Sequence, residues 1–207
     1  MTTITIDSAA IGRGAAAELP PLSVILTPGA PNAIAVETDE RPMLLSLLIG
    51  GRMRPSAGLV AIDGGRELRR VVALVDTPFV AEPVPSVSLR GAVREELAFA
   101  RRRTGRAHVE AAIARLGASD WADAPVQALP TAERIRILVE LALARPGVEA
   151  IVLTSPERHG GDPAEWYPAL TGREATIVVV TDAPTRDRLV RLGARDALAA
   201  SLPVEGR

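Results

Sequence analysis

The chain has 207 residues, is 47% apolar and only 2% aromatic, and carries a net charge of −1. That length fits one large domain whose core must be built from Leu, Val, Ile and Ala, and the charge balance supplies no overall field to recruit nucleic acid or an anionic membrane. With no cysteine and only His108 and His159, far apart, disulfides, thiolate chemistry and a clustered zinc site are excluded.

All 24 cationic side chains are arginine; there is no lysine. The segment Met1-Thr-Thr-Ile-Thr-Ile-Asp7 has neither a basic region nor an apolar run, so no signal peptide is expected. No apolar run approaches the roughly 20 residues of a membrane span. The expected location is cytoplasmic.

Short β-branched runs alternate with longer helical patterns, which predicts an α/β sheet. Strands are expected at Thr3–Ile6, Leu22–Leu26, Ala33–Val36, Leu59–Ile62, Val71–Val75, Ala150–Leu153 and Thr176–Val180. The last two are continuous apolar runs, as in parallel strands buried on both faces. Pro42–Ile49 reads as a helix stopped by Gly50-Gly51, and Asp63-Gly64-Gly65 as a turn. From Leu89 to Gly117 the pattern is helical: Leu89–Arg103, then Ala107–Leu116. Thr131–Ala144 is a helix with Ile135, Leu138, Val139 and Ala142 on one face, ended by Arg145-Pro-Gly. Asp162–Leu170 and Thr185–Leu192 follow, with Asp162 and Thr185 as expected N-caps.

The order of these segments resembles the ATP-binding subunits of ABC transporters. Ile34–Gly64 resembles their opening strand, phosphate loop, helix and an element here reading Met53-Arg-Pro-Ser-Ala-Gly-Leu-Val-Ala-Ile-Asp-Gly64. Arg70–Asp76 is similar to the strand entering the Q-loop, Val87–Phe99 to the first insert helix, and Leu129–Arg145 to the signature helix. Glu149–Pro156 is similar to the Walker B strand, and Ile177–Asp182 to the strand before the switch histidine. The resemblance implies an α/β, P-loop NTPase-like core with a mixed or parallel sheet and a small helical subdomain. The whole, 1–207, would be one domain with an insert at about 87–130.

At the positions implied to bind or hydrolyse ATP, the residues differ. A phosphate loop uses glycines to turn backbone N–H groups inward, a lysine for the terminal phosphates and a Ser/Thr for magnesium. The aligned segment is Glu37-Thr38-Asp39-Glu40-Arg41-Pro42-Met43, without glycine. Arg41 stands at the lysine position, and Pro42 and Met43 replace the Ser/Thr pair. Thr38 or Asp39 is expected to cap the helix, with Asp39 and Glu40 as anions at its positive end. The Q-loop position is Asp76. The signature is Leu129-Pro130-Thr131-Ala132-Glu133, the Walker B acids are Thr154-Ser155, and the switch histidine is Asp182. Glu157 is expected to be a loop charge and His159 a solvated loop histidine.

Thr77–Pro85 holds Phe79, Val80 and three prolines in a stiff connector; by the resemblance this region lines the groove that receives the permease. Arg101, Arg102 and Arg103, with Arg106, form the densest charge run, expected at a solvated helix end; the alternative reading is docking to a membrane protein's cytoplasmic loop or to anionic lipid headgroups. Trp121, Trp166 and Tyr167 are expected to pack. The expected function is binding without nucleotide or metal cofactor. The partner would be a membrane permease-like protein or an ATPase subunit, possible assemblies include homo- and heterodimers, and contact would run through Phe79, Val80 and Arg101–Arg103 at the inner face of the membrane. The alternatives are an ATP- and magnesium-binding transporter subunit with a non-standard site, or a small-molecule sensor using the vacated cleft.

Overall fold

The computed structural model describes residues 2–37 and 40–199. Strands β1 (Ile4–Ile11), β2 (Leu19–Leu26) and β3 (Asn32–Ala35) precede helix α1 (Arg41–Ile49). Next come β4 (Ala57–Ile62), α2 (Leu68–Val71) and β5 (Val72–Val75). Helices α3 (Leu89–Phe99), α4 (Arg106–Arg115) and α5 (Thr131–Leu143) lead to β6 (Ala150–Thr154), α6 (Pro163–Trp166), β7 (Thr176–Thr181), α7 (Ala183–Arg191) and β8 (Arg195–Asp196).

The strands form two sheets: a three-stranded one in the order β2-β1-β4, and a five-stranded one in the order β5-β6-β7-β3-β8. The first is antiparallel. The second is parallel throughout. Its centre, Ala-Ile-Val-Leu-Thr in β6 and Thr-Ile-Val-Val-Val-Thr in β7, is fully buried, because helices or the other sheet cover both faces. Ile4, Ile6, Leu26, Leu45, Leu48, Val152 and Val178 fill the layer between the sheets around α1. On the opposite face Ile135, Leu138, Val139, Trp166, Tyr167 and Leu189 pack against Ile151 and Val179. The expected face of α5 therefore does pack on the sheet. Its neighbouring face, Ile137 and Leu141, packs into a separate helical lobe with Leu89, Val93, Leu97, Val109 and Ile113.

Two glycines decide local geometry. Gly51 (φ +67°) ends α1, where Arg52 N–H reaches the Leu47 carbonyl at 2.8 Å, a left-handed helix end that favours glycine. Gly58 (φ +74°) lies where a Cβ would come within 2.2 Å of the Ser8 carbonyl oxygen, at the irregularity in the β1–β4 pairing.

Several boundaries differ from expectation. The helix expected over Leu89–Arg103 ends at Phe99, and Arg101 turns left-handed at φ +54°. The cap of α7 is Asp182, whose carboxylate accepts the Thr185 N–H at 2.8 Å; Thr185 lies inside the first turn. Asp162 does cap α6, accepting from Ala164 N–H at 2.9 Å. Thr38 and Asp39 lie outside the described residues, and Glu40, at the N-cap position of α1, makes no side-chain cap. The two-residue β8 escaped detection, having no apolar pattern of its own.

Candidate functional site

In an open parallel sheet, chemistry gathers at the carboxyl ends of the strands. Here β5 and β6 each end in a left-handed, non-glycine residue, Asp76 (φ +54°) and Ser155 (φ +46°). Backbone in this region is strained by about 1–3 kcal/mol and persists only where the surroundings over-determine it.

What holds Asp76 is an ionic cluster. Its side chain is wholly buried and accepts two bonds from Arg134 of α5, 3.0 Å from Nε and 2.6 Å from a terminal nitrogen. Arg134 is itself only 4% exposed. Arg158, in the loop after β6, lies 3.1 Å from the same carboxylate, donates to the Asp76 carbonyl at 2.7 Å and pairs with Glu82 at 2.8 Å. His159 Nε2 is 2.8 Å from Asp76 Oδ2, a close contact whose alignment is poor for a hydrogen bond. Burial acts to raise the Asp76 pKa; contacts with His159 and Arg134 overcome it and hold the carboxyl well below its usual range. His159 is thus mostly buried at the ion cluster, contrary to the solvated loop position expected, because Thr131 at the start of α5 donates to its carbonyl at 2.8 Å and draws the loop inward. Asp76, Glu82 and His159 lie close enough to share a cation, but two guanidiniums already occupy their oxygens.

Beside the cluster runs a chain of buried hydroxyls: Thr77 to Thr154 at 2.8 Å, and Thr154 to Ser46 of α1 at 2.8 Å. Thr154 therefore ties the central strand to α1 through neutral groups. Ser155 lines an adjoining cleft of about 520 Å³ together with Glu37, Pro42, Glu157, Arg158 and Asp182. Glu157 is more than a loop charge: it accepts from Thr181 Oγ1 at 2.5 Å, and burial pushes its pKa up against that bond.

The remaining expected positions scatter. Arg41 Nε donates to the Glu18 carbonyl at 2.8 Å, towards the antiparallel sheet. Pro42 is buried and Met43 half-buried at the start of α1. Pro130 precedes α5 without a side-chain cap, Ala132 packs on the core, and Glu133 pairs with Arg136 at 2.5 Å. Phe79 is 97% exposed and left-handed at φ +60°, with Val80 beside it, so the connector is not packed on the core at its tip. Arg101, Arg102 and Arg103 are exposed, yet Arg102 donates back to the Ala144 carbonyl at 2.8 Å and ties the lobe to the end of α5. Sequence reasoning missed Arg134, Arg158 and Glu82. One available signal was an arginine on the buried face of a helix, which requires a carboxylate partner.

No model of a known protein family matches the chain. It is 25% identical over 160 residues to the biotin transport ATP-binding protein BioM of Rhizobium etli, covering 74% of this chain and 70% of that protein. The fold matches a dimeric bacterial ABC transporter cassette with TM-score 0.68 and 18% identity, covering 90% of each chain. It also matches a Clostridium perfringens subunit described as part of an ABC transporter complex, with TM-score 0.59 and 16% identity over 86% of this chain and 78% of that one. The chain is a homologue of the ATP-binding subunits of ABC transporters, with the P-loop NTPase fold of their cassettes.

Proposed function

We propose that this protein is a cassette-like subunit that does not turn over ATP and instead acts as a binding partner of a membrane permease-like protein or of another ATPase subunit. The observation that carries the reading is the ion cluster itself. Asp76, Arg134, Arg158 and Glu82 satisfy one another at the carboxyl ends of the strands. The adjoining cleft presents Glu37, Glu157 and Asp182 where a triphosphate would need cations. The residues present do not fit ATP with magnesium. Arg41 is turned to Glu18, Pro42 offers no backbone donor, and Thr154 spends its hydroxyl on Thr77 and Ser46. None of these groups supplies the metal-holding or water-polarising carboxylates that phosphoryl transfer needs.

The partner surface in this reading is the exposed turn Phe79–Val80 and the groove beside it, where Pro83 and Phe99 are joined by the charged Arg52, Glu82, Glu96 and Arg145. Arg158 bridges the Asp76 carbonyl and the Glu82 carboxylate. It thus staples both ends of the turn and presents Phe79 in one posture, at little further ordering cost on binding. Relatives described as dimeric, or as part of a transporter complex, support an assembling role. The test is titration with ATP and magnesium. Neither a rise in melting temperature at physiological ATP nor hydrolysis above a blank is expected; a saturable rise, which native-state binding must produce, overturns the reading.

A further inference from the structure

At the opposite, amino-terminal end of β5, the ends of several elements converge on a second cleft of about 350 Å³. Arg52 follows α1, Arg69 and Arg70 belong to α2, Arg101 follows α3, and Arg145 follows α5. Five arginines line this cleft with Phe99, and no carboxylate does. In a chain of net charge −1 that is a strong local concentration of one sign.

Arginines near helix carboxyl ends can serve only to satisfy terminal carbonyls. That role accounts for Arg52, which donates to the Gly50 and Val72 carbonyls. Arg102, outside the cleft lining, likewise takes the Ala144 carbonyl. It does not account for the rest. Nearby acids offset part of the charge: Glu67 pairs with both Arg69 and Arg70, and Glu96 with Arg145. Five guanidiniums against two carboxylates leave an excess of cations, and Arg52 has no acidic partner among the described residues. Burial, with Arg145 and Arg69 alongside, lowers the Arg52 pKa, as expected of crowded like charges. The Arg101 side chain has no hydrogen-bond or ion-pair partner among the described residues, and its backbone sits in a left-handed conformation where glycine is the ordinary choice. Guanidinium forks match phosphate oxygens bidentately.

We propose that the cleft lined by Arg52, Arg69, Arg70, Arg101 and Arg145 binds a phosphate-bearing anion, either a free phosphate compound or the headgroup of an anionic phospholipid. It lies at the other end of β5 from Asp76 and does not rest on the function proposed above, although Arg52, Phe99 and Arg145 also line the groove beside Phe79–Val80; Phe99 at its rim offers an apolar edge next to the charges. The volume suits a headgroup-sized ligand.

The test uses the full chain in two arms. Pyrophosphate is titrated calorimetrically, and flotation is measured with phosphatidylglycerol vesicles against phosphatidylcholine vesicles. Binding in either arm, weakening with salt, supports the site and names the source. The double variant Arg69→Gln with Arg101→Gln alters exposed side chains and should weaken that binding roughly tenfold or more. Arg115→Gln, an equal type of charge change elsewhere on an exposed helix position, should leave it unchanged. An unaltered melting temperature of the double variant establishes folding. No binding in either arm overturns the proposal, as does binding that the double variant leaves intact. Capture of a glutamate-rich peptide in the absence of phosphate binding also overturns it, by assigning the cleft to an acidic protein segment.

Discussion

Replacing Asp76 by Asn tests the ion cluster with almost no change of shape. The substitution removes the charge that balances Arg134, whose side chain is 4% exposed and bonded at 2.6 and 3.0 Å. Leaving a buried charge unpaired costs about 3–5 kcal/mol. Residual compensation comes from Glu82 at 3.8 Å and the Val126 carbonyl at 3.4 Å, so the lower half of that range, about 3–4 kcal/mol, is expected at pH 7. Arg134→Met is milder, about 1–2 kcal/mol, because Arg158 and His159 still face Asp76. The double variant should lose less than the sum of the two by about 1 kcal/mol or more. Urea unfolding followed by circular dichroism and by tryptophan fluorescence gives both the free energies and a check that one transition is observed. The acid dependence carries the same sign. The folded Asp76 pKa is below its unfolded value, so its contribution is complete above that value, about 3.9, and is lost as pH falls further. The advantage of the wild type over Asp76→Asn should therefore shrink below about pH 4. A loss under about 1 kcal/mol at pH 7 would refute the claim that this buried pair depends on its carboxylate.

Glu157 provides the opposite sign: burial raises its folded pKa, so it favours the folded state only at acid pH, and that contribution is lost as pH rises through the folded pKa. Glu157→Gln, which retains an acceptor for Thr181, should stabilise the protein at pH 7 and give no benefit below about pH 4, as thermal melts across pH would show. Phe79→Ala with Val80→Asp removes the exposed tip of the stapled turn. It should change stability by less than about 0.5 kcal/mol, since Phe79 is 97% exposed, while abolishing capture of a partner from native membranes by the immobilised protein; undiminished capture places the interface elsewhere.

Much of the α/β scaffold was legible in local sequence. The β-branched runs at Val72–Val75, Ala150–Thr154 and Thr176–Thr181 are strands, because continuous apolar runs of that length suit strands covered on both faces. Helices α1 and α5 stand at the expected places, the first closed by Gly51 and the second with Ile135, Leu138, Val139 and Ala142 against the sheet. The absence of lysine from the chain, of glycine from Glu37–Met43 and of carboxylates at Thr154-Ser155 is legible without any structure.

Only the tertiary structure decided where the remaining charges go. Asp76 meets Arg134 across 58 residues and Arg158 across 82, and local propensity carries no information on such pairings. His159 and Glu157 read as surface residues because their flanks are Gly- and Pro-rich. They turn inward because Thr131 and Thr181 hydrogen-bond them. The arginine cleft likewise gathers residues from the ends of four helices, each of which, taken alone, is an unremarkable helix end with a favourable cation.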